Sequence, residues 1–398
     1  MTLKKTFVLA LLIRLIIAPF FYHPDIKSQH FHFQFLSQGQ SNIYQYISEN
    51  KDHLPYRDTF NYLPLTYLTF GSLQSFQKIL MPPGFINWLN DWGGTQYNYP
   101  NTPYYLLILK LPYIVLDLLL GYLLYKISNS KKILYLWLFN PFSLYLIYII
   151  QNFDILPVFL TVLSYYWLKS KPSLSFFVFG LAIAFKLYPL ILLPFFILFK
   201  SKNLIKMTKY SLIAATPTLL SILPFASSQA FWQSFFGSGL TQKIIELKIY
   251  ILPVFPVIYL IIMLFAFLSK KFDLSYYILL ISFLFVSTVN FHPQWILWFL
   301  PFIFLLKNVS RPSTYLPLTL IGVLILVYIF LFNDNYLTWG HLIPIDPEFL
   351  LISSPHEILK NRFSIDSKLI QNYIKLFIAL ISVLTIAIYE KKSPNHLS

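Results

Sequence analysis

Residues 104–125 read YYLLILKLPYIVLDLLLGYLLY. A helix of roughly 20 mainly apolar residues crosses the hydrocarbon core of a bilayer, and this run is long enough. Working outward, similar runs fall near 6–22, 133–150, 153–168, 174–186, 187–199, 207–225, 250–268, 274–290, 294–306, 314–332 and 372–389. Together they predict an all-α polytopic membrane protein of about twelve transmembrane helices, a single membrane domain over 1–398. Several of the runs are short for a full crossing.

Composition agrees with that expectation. Hydrophobic residues make up 57% of the 398, aromatics 19% and charged residues only 11%. A soluble fold has too little charge here to cover its exterior, and a disordered, fibrous or disulfide-stapled chain is excluded as well. The chain has no Cys, so thiol catalysis, zinc–cysteine sites and disulfides are excluded.

The net charge of +15 has a membrane explanation. With the N-terminus inside, the short inner loops collect more than half of the Lys and Arg, including Lys4, Lys5, Lys131, Lys132, Lys200, Lys202 and Lys206. Both termini are then cytoplasmic, as in a multi-pass protein of a bacterial plasma membrane. No nucleic-acid motif is present. The first run is expected to be an uncleaved anchor, since Ala18-Pro19-Phe20 offers no small-residue cleavage site. Residues 23–103 become a large first outer loop and 333–371 a last one, with an intermediate one near 226–249. Within the first, 61–80 sets Leu65, Leu68, Phe76 and Leu80 against Thr66, Gln74, Gln77 and Lys78, which predicts an amphipathic helix at the interface. There is no Gly-rich phosphate loop and no internal repeat, so a group-transfer donor must already be in the membrane.

Polar groups inside or beside apolar runs are the candidate site residues. Arg14 and Asp117 lie within the first two runs, and either pair with each other or free Arg14 to bind an anionic head group. Lys186, between two runs that return to the inner side, belongs at the outer tip of a short hairpin, where it suits a phosphate or snorkels. Gln151 and Asp154 sit in an outer turn and either cap a helix or face the same cavity. His292 and Gln294 could bond sugar hydroxyls and Trp295 could stack on a sugar ring, or all three belong to an interfacial belt. Asp25, with His23, follows the first helix and is placed to take a proton at a cavity mouth, or is a solvated acid. A divalent metal is one possibility for His23, Asp25, His30 and His32, although their spacing fits no strong ligand template.

Six segments resemble, in order, the GT-C superfamily of integral-membrane glycosyltransferases, closest to bacterial enzymes akin to the mannosyltransferases of glycosylphosphatidylinositol and lipoarabinomannan assembly. They are HPD (23–25), NYLPLTYLTFG (61–71), KLPYIVLDLLLGYLL (110–124), FNPFSLYLIYIIQNFDILPVFL (139–160), FGLAIAFKLYPLILLPFFIL (179–198) and FHPQWILWFLPF (291–302). Departures are Leu63 for a Pro, Ile150-Gln151-Asn152 for Gly-Gln, Pro293-Gln294 for Glu-Arg, and no second acid beside Asp25. The resemblance implies an outer cavity, a polyprenyl-phosphate sugar as donor, a lipid, glycan or protein acceptor and inversion at the anomeric carbon. It also implies Asp25 as base, and Lys186 and His292 lining the donor cavity. Mannose is the favoured hexose. A lipid-linked-sugar flippase or a non-catalytic membrane assembly protein are the alternatives.

Overall fold

The computed structural model describes residues 2–150, 153–237, 240–270, 272–306 and 312–392. The chain runs through α1 (Leu3–Ile17), α2 (Pro24–Ser37), α3 (Ile43–Asn50), α4 (Pro64–Gln77), α5 (Phe85–Asn90), α6 (Thr102–Ser128), α7 (Lys131–Leu138), α8 (Pro141–Leu144), α9 (Ile155–Trp167), α10 (Pro172–Phe185) and α11 (Leu193–Lys200). It continues with α12 (Leu204–Ile222), α13 (Gln229–Phe236), α14 (Leu240–Ile245), α15 (Val254–Leu268), α16 (Leu274–Thr288), α17 (Leu300–Phe304), α18 (Pro312–Phe330), α19 (Pro355–Phe363) and α20 (Ser367–Lys392). Among the described residues the only strands are Lys248–Ile249 and Leu252–Pro253, paired antiparallel.

Proline sets much of this pattern. Helices α2, α4, α8, α10, α18 and α19 all open on a proline, where its fixed φ suits the first turn and its missing N–H is no loss. Other prolines fall in 3-10 turns that interrupt the apolar runs, at Ala18–Phe20, Tyr188–Ile191 and Pro293–Trp298. The consequence is shorter helices than the apolar runs suggest. Thr102–Ser128, Pro312–Phe330 and Ser367–Ile388 are long and apolar enough to cross a membrane. Two bent pairs raise the number to five if each is one span: Leu3–Phe20 with Pro24–Ser37, bent by 84°, and Lys131–Leu138 with Pro141–Ile149, bent by 44°. Among the described residues three to five crossings therefore have the length and composition of a span, against about twelve expected from the sequence. Helices α9, α10, α15 and α16 are apolar but only 13 to 15 residues long.

The outward faces suit lipid. On α20, Leu376, Phe377, Leu380, Val383 and Leu384 are each more than half exposed, and on α12 so are Leu212, Leu219 and Leu220. Water would not tolerate patches of this extent on a monomer.

Residues 23–103 are more ordered than the expected loop. Their opening is α2, buried from Ile26 to Phe35 apart from Ser28. Helix α4 turns Thr66, Gln74 and Gln77 of its expected polar face inward, and leaves Lys78 exposed. Thr66 Oγ1 donates to the Phe185 carbonyl at 2.7 Å, Gln74 meets His30 Nδ1 at 2.8 Å, and Gln77 Nε2 donates to the Ile108 carbonyl at 2.6 Å. Phe76, Ile79 and Leu80 point out. Gly71 permits the close approach of α4 to α2, because a Cβ there would lie 2.8 Å from Leu36 Cβ.

Two buried cations fix the frame around α1. Arg14 Nε bonds Asp117 Oδ2 at 2.6 Å with both side chains fully buried. Lys110 Nζ, also fully buried, donates to the carbonyls of Ala18 (2.7 Å), Phe21 (2.5 Å) and Tyr148 (3.0 Å). The lysine satisfies carbonyls left open where the α1 helix ends, and thereby pins the segment leading to His23.

Candidate functional site

His23 is the N-cap of α2, its Nδ1 accepting from the Asp25 N–H at 3.2 Å. This cap turns the first helical turn so that Asp25 faces a cavity of about 280 Å³. The other walls come from the 61–63 segment, the Phe185–Leu187 tip, α13, α14 and the segment that starts at His292. Asp25, Lys186, His292 and Trp295, four candidate residues scattered over 270 positions, share this cavity with Lys243 and Gln294.

Asp25 is 31% exposed and held on both sides. Gln294 Nε2 donates to its Oδ2 at 3.1 Å, and its Oδ1 lies 3.5 Å from His23 Nδ1. His23 is itself buried, and its Nε2 lies 3.8 Å from Asp334 Oδ2, an ion-pair distance longer than a hydrogen bond. Burial acts to lower the His23 pKa, but the charge of Asp25 and the neighbouring Asp334 outweigh it and the net shift is upward. Burial acts to raise the Asp334 pKa, and His23 draws it below the ordinary carboxylate value. Asp334 reaches this place because the 333–371 segment is tied to the 23–103 segment and the residue before it: the Tyr22 N–H donates to the His341 carbonyl at 2.8 Å, and the Tyr97 and Tyr336 hydroxyls meet at 2.5 Å.

Lys186 caps the C-terminus of α10 in an extended conformation, which turns its side chain out of the helix. Its Nζ bonds Asp154 Oδ1 at 2.5 Å and lies over the rings of Tyr62, Phe153 and Trp298 at 5.5 to 5.7 Å. Trp298 Nε1 donates to Asp154 Oδ2 at 2.8 Å. The indoles of Trp295 and Trp298 stack 5.0 Å apart, and Trp298 stacks on Tyr188 at 4.2 Å. Lys243 Nζ sits 5.2 Å over the Trp295 ring.

The cavity also holds unmet polar capacity. His292 Nδ1 and Gln294 Oε1 are buried without a hydrogen-bond partner among the described residues. Such atoms are rare in folded proteins and are what a polar ligand would satisfy. Burial, aided by the charges of His23, Lys243 and Lys186 and opposed by Asp25, holds His292 down to about 4, so its imidazole is neutral at pH 7.

Three candidates are placed differently. Arg14 does not reach the cavity: Asp117 takes its Nε, and the carbonyls of Ala10 and Leu138 take its Nη1, at 3.0 Å each. Asp154 is 1% exposed and faces Lys186 and Trp298, so it holds cavity residues without lining the cavity. His23 acts on Asp25 from behind. Gln151 lies outside the described residues. His30 and His32 are committed elsewhere, to Gln74 and the Asp58 carbonyl, because α2 carries them on buried faces. Among the described residues no group of three or more His, Asp or Glu is arranged to hold a metal.

Sequence reasoning missed Lys243, Trp298 and Asp334 as site residues. Trp298 follows the quoted HPQW by three positions, one turn away. Nothing local marks Asp334.

A model of glycosyltransferase family 87 matches residues 104–248, about a third of the chain. The match supports a glycosyltransferase. It takes in Asp117, Asp154, Lys186 and Lys243, and stops short of Asp25 and His292 on either side. No curated protein and no solved structure matches the chain.

Proposed function

We propose that the protein is an integral-membrane glycosyltransferase that moves a hexose, mannose favoured, from a polyprenyl-phosphate donor to a lipid, glycan or protein acceptor at the outer face. The observation that carries this is the meeting of a carboxylate, two ammonium groups and the Trp295 indole in one cavity, with Trp298 stacked behind that indole. Asp25 takes the proton of the acceptor hydroxyl as its oxygen attacks the anomeric carbon. The bond from that carbon to the phosphate oxygen breaks, the electron pair leaves with the phosphate, and the product is inverted. Lys186 and Lys243 offset the charge that develops on the leaving group. Trp295 offers a ring face to the sugar, while His292 Nδ1 and Gln294 Oε1 offer hydrogen bonds to its hydroxyls. The membrane supplies a donor whose lipid never has to leave it, which fits a chain without a nucleotide-binding motif. Three to five long spans, together with short apolar helices packed between them, would hold the cavity at the outer side with both termini inside.

Transfer from polyprenyl-phosphate mannose, glucose and arabinose by purified protein in liposomes tests this. Asp25→Asn keeps the shape and removes the base, and is expected to lower turnover by at least about 100-fold with donor binding kept. Near-normal transfer by Asp25→Asn would remove Asp25 from the mechanism. No transfer from any of these donors would remove the activity.

A further inference from the structure

A second cavity lies on the far side of His23. It measures about 310 Å³, a size seen in small-ligand sites, and is lined by Tyr22, Trp88, Gln96, Tyr97, Asn98 and Tyr99, closed by Ile343 and two prolines of the last outer segment. We infer that this notch is a saccharide subsite that holds the part of a glycan acceptor away from the reacting hydroxyl. The inference deepens the glycosyltransferase proposal and rests on it for the word acceptor.

Charge separates the two cavities. The Asp25 cavity carries Lys186, Lys243 and a carboxylate, as a phosphate-bearing donor requires. The notch has no Asp, Glu, Lys or Arg among its lining residues. Its chemistry is aromatic rings plus the amides of Gln96 and Asn98 and the hydroxyls of Tyr and Thr. That combination suits a neutral polyhydroxylated ligand, with ring faces for C–H groups and amides for hydroxyls.

The notch is also built in advance. Lys27, buried on α2, donates to the Asp91 carbonyl and to Gln96 Oε1, the latter at 3.0 Å. Its ammonium lies 5.2 Å from the Trp88 ring centre and 4.8 Å from that of Trp92. One lysine thus fixes the segment 91–97, which ends in a 3-10 turn over Gly94–Tyr97, and anchors the Gln96 amide through its oxygen. Tyr97, a lining residue, is held by its hydroxyl contact with Tyr336. Binding would then cost little ordering of the protein.

Position links the notch to the chemistry. Tyr22 lines it, and Asp25 is three residues further along the chain, a reach of at most about 11 Å. Tyr336 packs edge-on against both Tyr22 and His23, at 6.0 and 6.4 Å. A short glycan seated in the notch can present its next hydroxyl to Asp25.

The test measures binding without turnover. Mannotriose and maltotriose are titrated into Asp25→Asn protein in detergent, with mannose 6-phosphate as an anionic control, and compared with Asn98→Ala and Tyr99→Ala in the same background. Both side chains are at least partly exposed, and unchanged Tm confirms that the variants fold. We expect at least one trisaccharide to bind, and each variant to weaken it about tenfold, the worth of one good polar or aromatic contact. In the active protein the same variants should raise the acceptor KM. Absence of binding by both trisaccharides up to about 10 mM overturns the inference. So does binding that neither variant alters, or preference for the phosphorylated sugar. Saccharide binding without any transfer would keep the notch and remove the glycosyltransferase proposal, whereas transfer without binding would do the reverse.

Discussion

Two buried ion pairs among the described residues have opposite designs. Arg14–Asp117 is sealed. Both carboxylate oxygens are taken, Oδ1 by Trp137 Nε1 at 2.6 Å and Oδ2 by Arg14 and by the Tyr148 hydroxyl at 2.8 Å, and neither partner has exposed surface. Lys186–Asp154 has a similar carboxylate, equally buried and also bonded to an indole, but its cation is 13% exposed and lines a cavity. The difference lies in backbone. Arg14 projects from the last turn of α1 while the backbone is still helical, and Asp117 of α6 and the Leu138 carbonyl take its guanidinium, whereas Lys186 sits where α10 ends and the chain turns extended. A residue whose backbone has left the helix can aim its side chain into open space, and one still on a helical turn packed against a neighbour does not.

Breaking the sealed pair should have the largest effect. Arg14→Met strands a buried carboxylate and should cost about 3–5 kcal/mol, read as a large loss of folded protein or of Tm. Arg14→Met with Asp117→Leu should recover most of that stability and leave donor affinity unchanged. A stable Arg14→Met that binds donor weakly would show that Arg14 faces the cavity after all.

The open pair should respond in binding. Lys186→Ala removes a charge-assisted contact to the donor phosphate, worth about 1.5–3 kcal/mol, or roughly tenfold to over 100-fold in Kd. Lys186→Arg should keep more of it. If Lys186→Ala changes Tm alone and donor affinity not at all, the two pairs are both structural and the contrast fails.

This contrast also marks what could be read from the sequence. Apolar runs announced where helices lie, and all of the expected runs overlap helices. They overstated span length, because proline at positions such as 19 and 189 puts part of a run into a 3-10 turn without lowering hydropathy enough to divide the run. Lys186 stood out as a charge at a turn between apolar runs, which is a local signal. Arg14 and Asp117 stood out equally, and only packing reveals that Trp137 and Tyr148 complete the bonding of the Asp117 carboxylate. Asp334 was invisible for a different reason. It is an ordinary acid in a polar segment, and it becomes part of the site through contacts that join segments 23–103 and 333–371.

That Asp334 contact gives the smallest effect, and pH resolves it. The His23 pKa is raised in the fold, so the protonated imidazole contributes fully below its unfolded value near 6.5, and the contribution fades as pH rises through the raised value. The Asp334 pKa is lowered, so its contribution is present above about 3.9 and fades as pH falls through the lowered value. The two overlap between about pH 4 and 6.5, where an ionised Asp334 faces a protonated His23. Asp334→Asn should therefore lower Tm most in that interval, and the gap to wild type should narrow as the pH is taken above neutrality. Asp334 is about a third exposed, so solvent screens the pair and the gap should be small throughout. Melting both proteins in detergent from about pH 4.5 to 8.5 reads it directly. A gap of constant size across that range would mean that Asp334 serves only as the cap of its own turn, through the 2.9 Å bond from the Tyr336 N–H, and that His23 answers to Asp25 alone.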